Sequence, residues 1–133
     1  MITSLTSKSD DNLRVTRSGA VTLSEDETYA LVKVPMNAFI LGVWLHKTTA
    51  FDAATEGGTN GTLTLGFTDN GEDADADYFM SDETVDSDAT GIVTHDGGKH
   101  FSAAGGYITI TRTINDSTVD PVVQLFVAYT VIS

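Results

Sequence analysis

Apolar residues in this chain come in short runs that alternate with polar ones, and glycine- and aspartate-rich stretches separate the runs. That period-two pattern belongs to strands with one face buried. No window supports a long helix, because glycine pairs or β-branched residues interrupt every helix-friendly stretch within a turn or two. The most apolar stretch is 28–52, TYALVKVPMNAFILGVWLHKTTAFD, in which two runs flank Pro35, Met36 and Asn37. Proline and asparagine in that setting mark a bend. In the second run an extended chain places Phe39, Leu41, Val43 and Leu45 on one side. Ile40, Gly42, Trp44 and His46 fall on the other. Both sides carry large apolar groups, so this strand is expected to be covered twice, at the centre of a β-sandwich with a neighbouring subunit over part of it.

The remaining segments are read in the same way. Residues 1–27 are polar and are expected to form an extended N-terminal arm, with at most a short strand near Leu13 to Thr16. Residues 28–133 form the sandwich domain. The stretch from Thr49 to Gly61 reads as a loop with one helical turn, and 62–67 (TLTLGF) as a half-buried strand with Leu63, Leu65 and Phe67 inward. An acidic connection, 69–77, precedes Tyr78 to Met80, which return to the core. Gly91 to Thr94 and Lys99 to Phe101 are short strand candidates around Asp96, Gly97 and Gly98, a hairpin signal. In 107–114, Ile108, Ile110 and Ile114 oppose Thr109, Thr111 and Thr113, and Arg112 interrupts the apolar face, so it is expected near an edge or paired. The last strand, 121–132, is apolar on both faces and is expected beside the central run. The expected class is all-β: an antiparallel β-sandwich of jelly-roll or Greek-key type.

Length and charge narrow the function classes. The 133 residues suffice for one domain with its own core. Nineteen acidic against seven basic residues give a formal charge of −12. Such a field repels nucleic acid and anionic membrane surfaces, so neither is an expected partner. Without cysteine there is no disulfide framework and no thiolate zinc site. The N-terminus holds no apolar run that would serve as a signal peptide, so the chain is expected to stay in the cytoplasm unless it leaves within a larger particle.

Candidate chemistry is sparse. Asp73, Asp75 and Asp77 alternate as calcium ligands would on an extended segment, but the EF-hand glycine and closing glutamate are missing, and a solvated turn fits as well. His95 and His100 flank the expected hairpin, where a cross-strand polar pair is commoner than a zinc site. No serine sits in a nucleophile elbow, and the glycine pairs precede strands or loops instead of helices, as turns do and phosphate cradles do not. No enzymatic activity and no cofactor are expected. Trp44 is either a core or interface residue or a sugar-stacking platform.

Residues 34–45 (VPMNAFILGVWL), followed by 48–52 (TTAFD), resemble small virion proteins of tailed bacteriophages, as do 63–69 (LTLGFTD) followed by 75–80 (DADYFM). The resemblance covers about 28–132 and leaves the arm unmatched. It implies a structural part of the particle, a decoration or cement protein on the outside of the capsid that binds the major capsid protein. Assembly in the host bacterial cytoplasm accounts for the missing signal peptide. The geometry of a shell favours a homotrimer. Ile40, Trp44 and His46 are the expected oligomer contacts, and the basic Lys8, Arg14 and Arg17 the expected contacts with acidic patches of the shell. The competing readings are a carbohydrate- or receptor-binding module of a fibre or tail that uses Trp44, and a calcium-dependent adhesive sandwich.

Overall fold

The computed structural model describes residues 13–49, 61–69, 73–81, 90–101, 105–114 and 119–132. Nine strands run through them: β1 Leu13–Arg17, β2 Val21–Thr22, β3 Thr28–Val34, β4 Ala38–Thr49, β5 Gly61–Asp69, β6 Asp73–Met80, β7 Gly91–His95, β8 Gly106–Ile114 and β9 Val122–Val131. No helix occurs among the described residues, so none is long and apolar enough to cross a membrane.

The pairing follows one rule. β1 pairs with β9, β3 with β8, β4 with β7 and β5 with β6, all antiparallel. The first half of the chain thus folds back on the second as a single ribbon. Wrapping that ribbon brings β9 against β4 and β8 against β5. Two sheets result, ordered β1-β9-β4-β7 (sheet A, with β2 also on β9) and β3-β8-β5-β6 (sheet B). This is the order of a jelly roll, an antiparallel sandwich within the expected class. Closure of this kind leaves only the outermost strand of each sheet side unpaired.

Between the sheets, Val43, Leu45, Val123, Leu125 and Val127 of sheet A meet Leu63, Leu65, Phe67, Ile108 and Ile110 of sheet B, all buried. Each such side chain contributes about 1.5–3 kcal/mol through removal from water. Arg112 lies on this inner face, 2% exposed, although β8 is an internal strand. Its guanidinium donates to the Leu23 carbonyl and, at 2.7 Å, to Asp120 Oδ1. It is therefore paired, as expected, but not at a sheet edge; a buried charge persists only with partners of this kind.

Four sequence expectations change. The alternation in β4 does not run through, because a bulge falls between Ile40 and Gly42. Ile40 therefore shares the inner face with Ala38, Val43 and Leu45 and is fully buried, whereas Leu41 is exposed. One extra residue reverses the face of everything on one side of it. Asp96 to Gly98 do not turn a hairpin. The chain instead continues along β4: Gly98 N–H donates to the Ile40 carbonyl, Ile40 N–H to the Lys99 carbonyl, and Phe101 N–H to the Ala38 carbonyl, each at 2.8 Å. Gly97, at φ 86°, has the Ile40 carbonyl oxygen 2.4 Å from where a Cβ would stand. The glycines thus fit the second edge to the β4 bulge, a use of left-handed backbone that resembles a turn signal in sequence.

The acidic connection is in large part a strand. Thr68 pairs with Ala74 and Phe67 with Asp75, so β6 forms the edge of sheet B before it bulges and brings Phe79 and Met80 into the core. Its composition is poor for a strand, but a strong partner in β5 imposes the conformation. Finally, from Leu13 onward the segment expected as an arm supplies β1 and β2. Ser18 exchanges hydrogen bonds with the Leu125 backbone at 2.9 Å through its N–H and its hydroxyl, and Leu23 is fully buried. Lys8 and the loop after Thr49 lie outside the described residues.

Candidate interaction face

The outward side of sheet A can be read in rows across the strands, because directly paired residues share a face. One row is Arg17 (β1), Phe126 (β9), Trp44 (β4) and Thr94 (β7). Next to it lie Val15, Ala128 and Gly42, then Leu13, Thr130 and Phe39. On the other side are Gln124, His46 and Ile92. Val15 is 69% exposed, Ile92 63% and Trp44 39%. Gly42 explains how the indole lies: a Cβ there would stand 3.1 Å from the Trp44 ring, so the missing side chain lets the ring rest on the sheet. These rows form a mostly apolar surface that carries no carboxylate. The described carboxylates, Glu25, Asp26, Glu27, Asp75, Asp77, Asp96 and Asp120, sit on loops and on the β6 edge.

The outward side of sheet B differs. Its rows are Thr28, Thr111 and Thr64; Ala30, Thr109 and Gly66; and Lys33, Tyr107 and Thr68. Thr28 Oγ1 and Thr111 Oγ1 share a hydrogen bond at 2.8 Å.

The residues singled out from sequence separate accordingly. Trp44, His46 and Arg17 share the outer face of sheet A, whereas Ile40 belongs to the core. Arg14 pairs with Tyr129, on the opposite side of β1 from Arg17, is exposed and donates to the Leu13 carbonyl at 3.2 Å. Val15, Ile92 and Phe126 complete the face but were not singled out. The signal for two of them was the alternation of Leu13 and Val15 with polar neighbours and the second apolar side of the last strand.

On β6, Asp77 N–H donates to Asp75 Oδ1 at 3.2 Å. The Asp77 carboxyl is raised above its usual value, first by a hydrogen bond with the Asp75 carboxyl and second by that group's charge. The Asp73 side chain lies outside what is described, and the described residues bring no three His, Cys, Asp or Glu side chains together for a metal ion. His95 and His100 do not face each other across a hairpin. His95 Nδ1 accepts from Gly97 N–H at 3.0 Å, and His100 bridges to Phe39 farther along the same edge.

Phe67, Tyr78 and Phe79 stack edge to face, with centroids 5.1 and 5.0 Å apart, and Lys99 Nζ sits 4.2 Å from the Phe67 ring centroid. This cluster fixes the bulged end of β6 to the core.

No family model and no curated protein matches the chain. Solved structures do. A chain of the cyanophage Pam1 capsid asymmetric unit is 20% identical at a TM-score of 0.61, and the match covers 91% of this chain and 86% of that one. A chain of the acidic stable capsid of Helicobacter pylori bacteriophage KHP30 is 17% identical at 0.65, covering 91% and 89%. One of the Ralstonia phage GP4 capsid is 15% identical at 0.64, covering 91% and 85%. At these identities the likeness is one of fold, and it extends over nearly the whole of each chain.

Proposed function

We propose that this chain is a structural protein of a tailed-phage virion that decorates the outside of the capsid, binds the major capsid protein and stabilises the shell as a homo-oligomer. The observation that carries the reading is the two-way coverage: the sandwich accounts for most of this chain and for most of three chains found in phage capsids. A decoration protein needs a rigid fold, a surface for its own copies and a second surface for the shell. The outer side of sheet A, whose rows hold no carboxylate, suits one of those needs in a chain of charge −12. Arg14 and Arg17 on β1, with Lys8 ahead of them, are the proposed contacts to an acidic patch of the shell. A trimer is the closure that a shell's local symmetry favours.

The test is binding of the purified chain to empty, expanded capsids of the virus that encodes it. The expected result is co-sedimentation with the shells and a rise in their melting temperature, both weakened when residues 1–12 are deleted and Arg14 and Arg17 become Gln. The deletion ends there because Leu23 belongs to the core. Shells that carry no copies after incubation overturn the proposal.

One observation favours a second reading, a carbohydrate-binding module: the Trp44 ring reaches over Gly42 and stays partly exposed. Tyr107, however, projects from the opposite face of the sandwich, so the exposed aromatics do not converge. A tryptophan fluorescence response to sugars, lost in Trp44→Ala, would support that reading.

A further inference from the structure

We infer that the outer face of sheet A is the seat of a second copy of this chain, with Val15, Phe126, Trp44 and Ile92 at the centre of the contact. The inference rests on the oligomeric structural role proposed above and names the surface that carries it. Three observations choose the occupant. The first is charge. Each copy carries −12, so two copies repel wherever their carboxylates meet, and the rows of this face hold none. An acidic partner would instead need a basic surface, and in these rows Arg17 is the only Lys or Arg, placed at the β1 edge.

The second is size. The 5 residues of β1, 10 of β9, 12 of β4 and 5 of β7, at about 3.3 Å each on strands about 4.8 Å apart, give a footprint on the order of 500 Å² before side-chain relief is counted. That is more than half of the roughly 800 Å² per partner of a standard stable interface. The third is composition. The centre holds a tryptophan and a phenylalanine paired across strands, flanked by exposed Val15 and Ile92, while the described acids lie outside the rows. Interfaces place aromatic anchors centrally and charges at the rim.

The test is sedimentation velocity of the full chain over a dilution series, with Val15→Lys, Ile92→Lys and Trp44→Asp variants, and with Thr64→Lys on the other face as the control. Val15 and Ile92 are exposed enough that their variants keep the fold, which circular dichroism and melting verify. The expected result is an oligomer for the wild type and for Thr64→Lys. In the three sheet A variants its midpoint should move to about thirtyfold higher concentration or beyond. Trp44 emission should shift to the red on dilution. A wild type that is monomeric throughout, or Val15→Lys and Ile92→Lys variants that associate like the wild type, overturns the inference. Shell binding is read separately. A monomer that still binds capsids sinks this inference and leaves the shell-binding role; an intact oligomer that binds none does the reverse.

Discussion

Each sheet has a glycine in the middle of its outer face, and the two are covered by different things. In sheet A, Gly42 lies under the Trp44 indole, whose nearest atom is 3.1 Å from where a Cβ would be. In sheet B, Gly66 lies under the chain's own backbone: the Asp75 carbonyl oxygen is 1.9 Å and the Ala76 carbonyl carbon 2.4 Å from that point. The bulge in β6 thus folds over sheet B, while sheet A is capped by one ring that is itself 39% exposed. The two faces share one core, yet one is covered by the chain's own backbone and the other only by a partly exposed ring. Burial of apolar area drives folding and association alike, so the place where it stops within one chain marks where a second chain can contribute.

The largest expected effect separates these two glycines. Gly66→Ala places a methyl group where backbone already stands, and backbone cannot rotate aside. The β5–β6 pairing must therefore shift, at about 3 kcal/mol, toward the top of the overpacking range. Gly42→Ala requires only that a partly exposed indole tilt by a few tenths of an ångström, so its cost to the monomer stays within about 1 kcal/mol. Its effect should appear instead in association and in Trp44 emission. Urea denaturation of the two variants checks the ordering; equal losses would mean that the coverings do not differ in rigidity.

A smaller effect sharpens the contrast on sheet B. Thr111→Ala removes one side of the exposed Thr28–Thr111 hydroxyl bond. Stability should fall by about 0.5–1.5 kcal/mol, the usual net worth of such a bond. Self-association should not change, because the inferred contact lies on the opposite face. A Thr111→Ala variant that dissociates the oligomer while its denaturation curve stays in place would reverse the assignment of the two faces.

Much of the sandwich was legible because alternation is a local property: Leu63, Leu65 and Phe67, or Ile108 and Ile110, can be assigned inward from their own neighbours. The bulge at Leu41 could not be, since it depends on Gly97 and Gly98 reaching around it from more than fifty positions away. For the same reason a left-handed glycine pair looked like a hairpin. Strand β6 hid behind its aspartates, although Asn70-Gly71, two residues beyond TLTLGF, is a hairpin signal in the sequence. The candidate face was half legible. Trp44 and His46 announce it within one strand, but Val15, Phe126 and Ile92 join them only through the order β1-β9-β4-β7, and strand order is not written in any single segment.

The smallest expected effect lies at the edge where acids have collected. Charges on an edge strand discourage another strand from adding to it, a use that fits β6. The arrangement also places Asp75 and Asp77 against each other, and the Asp77 carboxyl consequently binds its proton more tightly than an ordinary aspartate at 3.8. With the folded-state value raised, the stability this proton contributes is fully present below 3.8 and is lost as pH rises through the raised value. Asp77→Asn keeps a neutral group at that position at every pH. The difference in melting temperature between variant and wild type should therefore be near zero at about pH 3 and open in the variant's favour toward about pH 7. Both side chains are exposed, so the gap is small and salt narrows it. A difference that stays constant from acid to neutral pH would show that the two carboxylates do not interact, and that the edge tolerates its charges without cost.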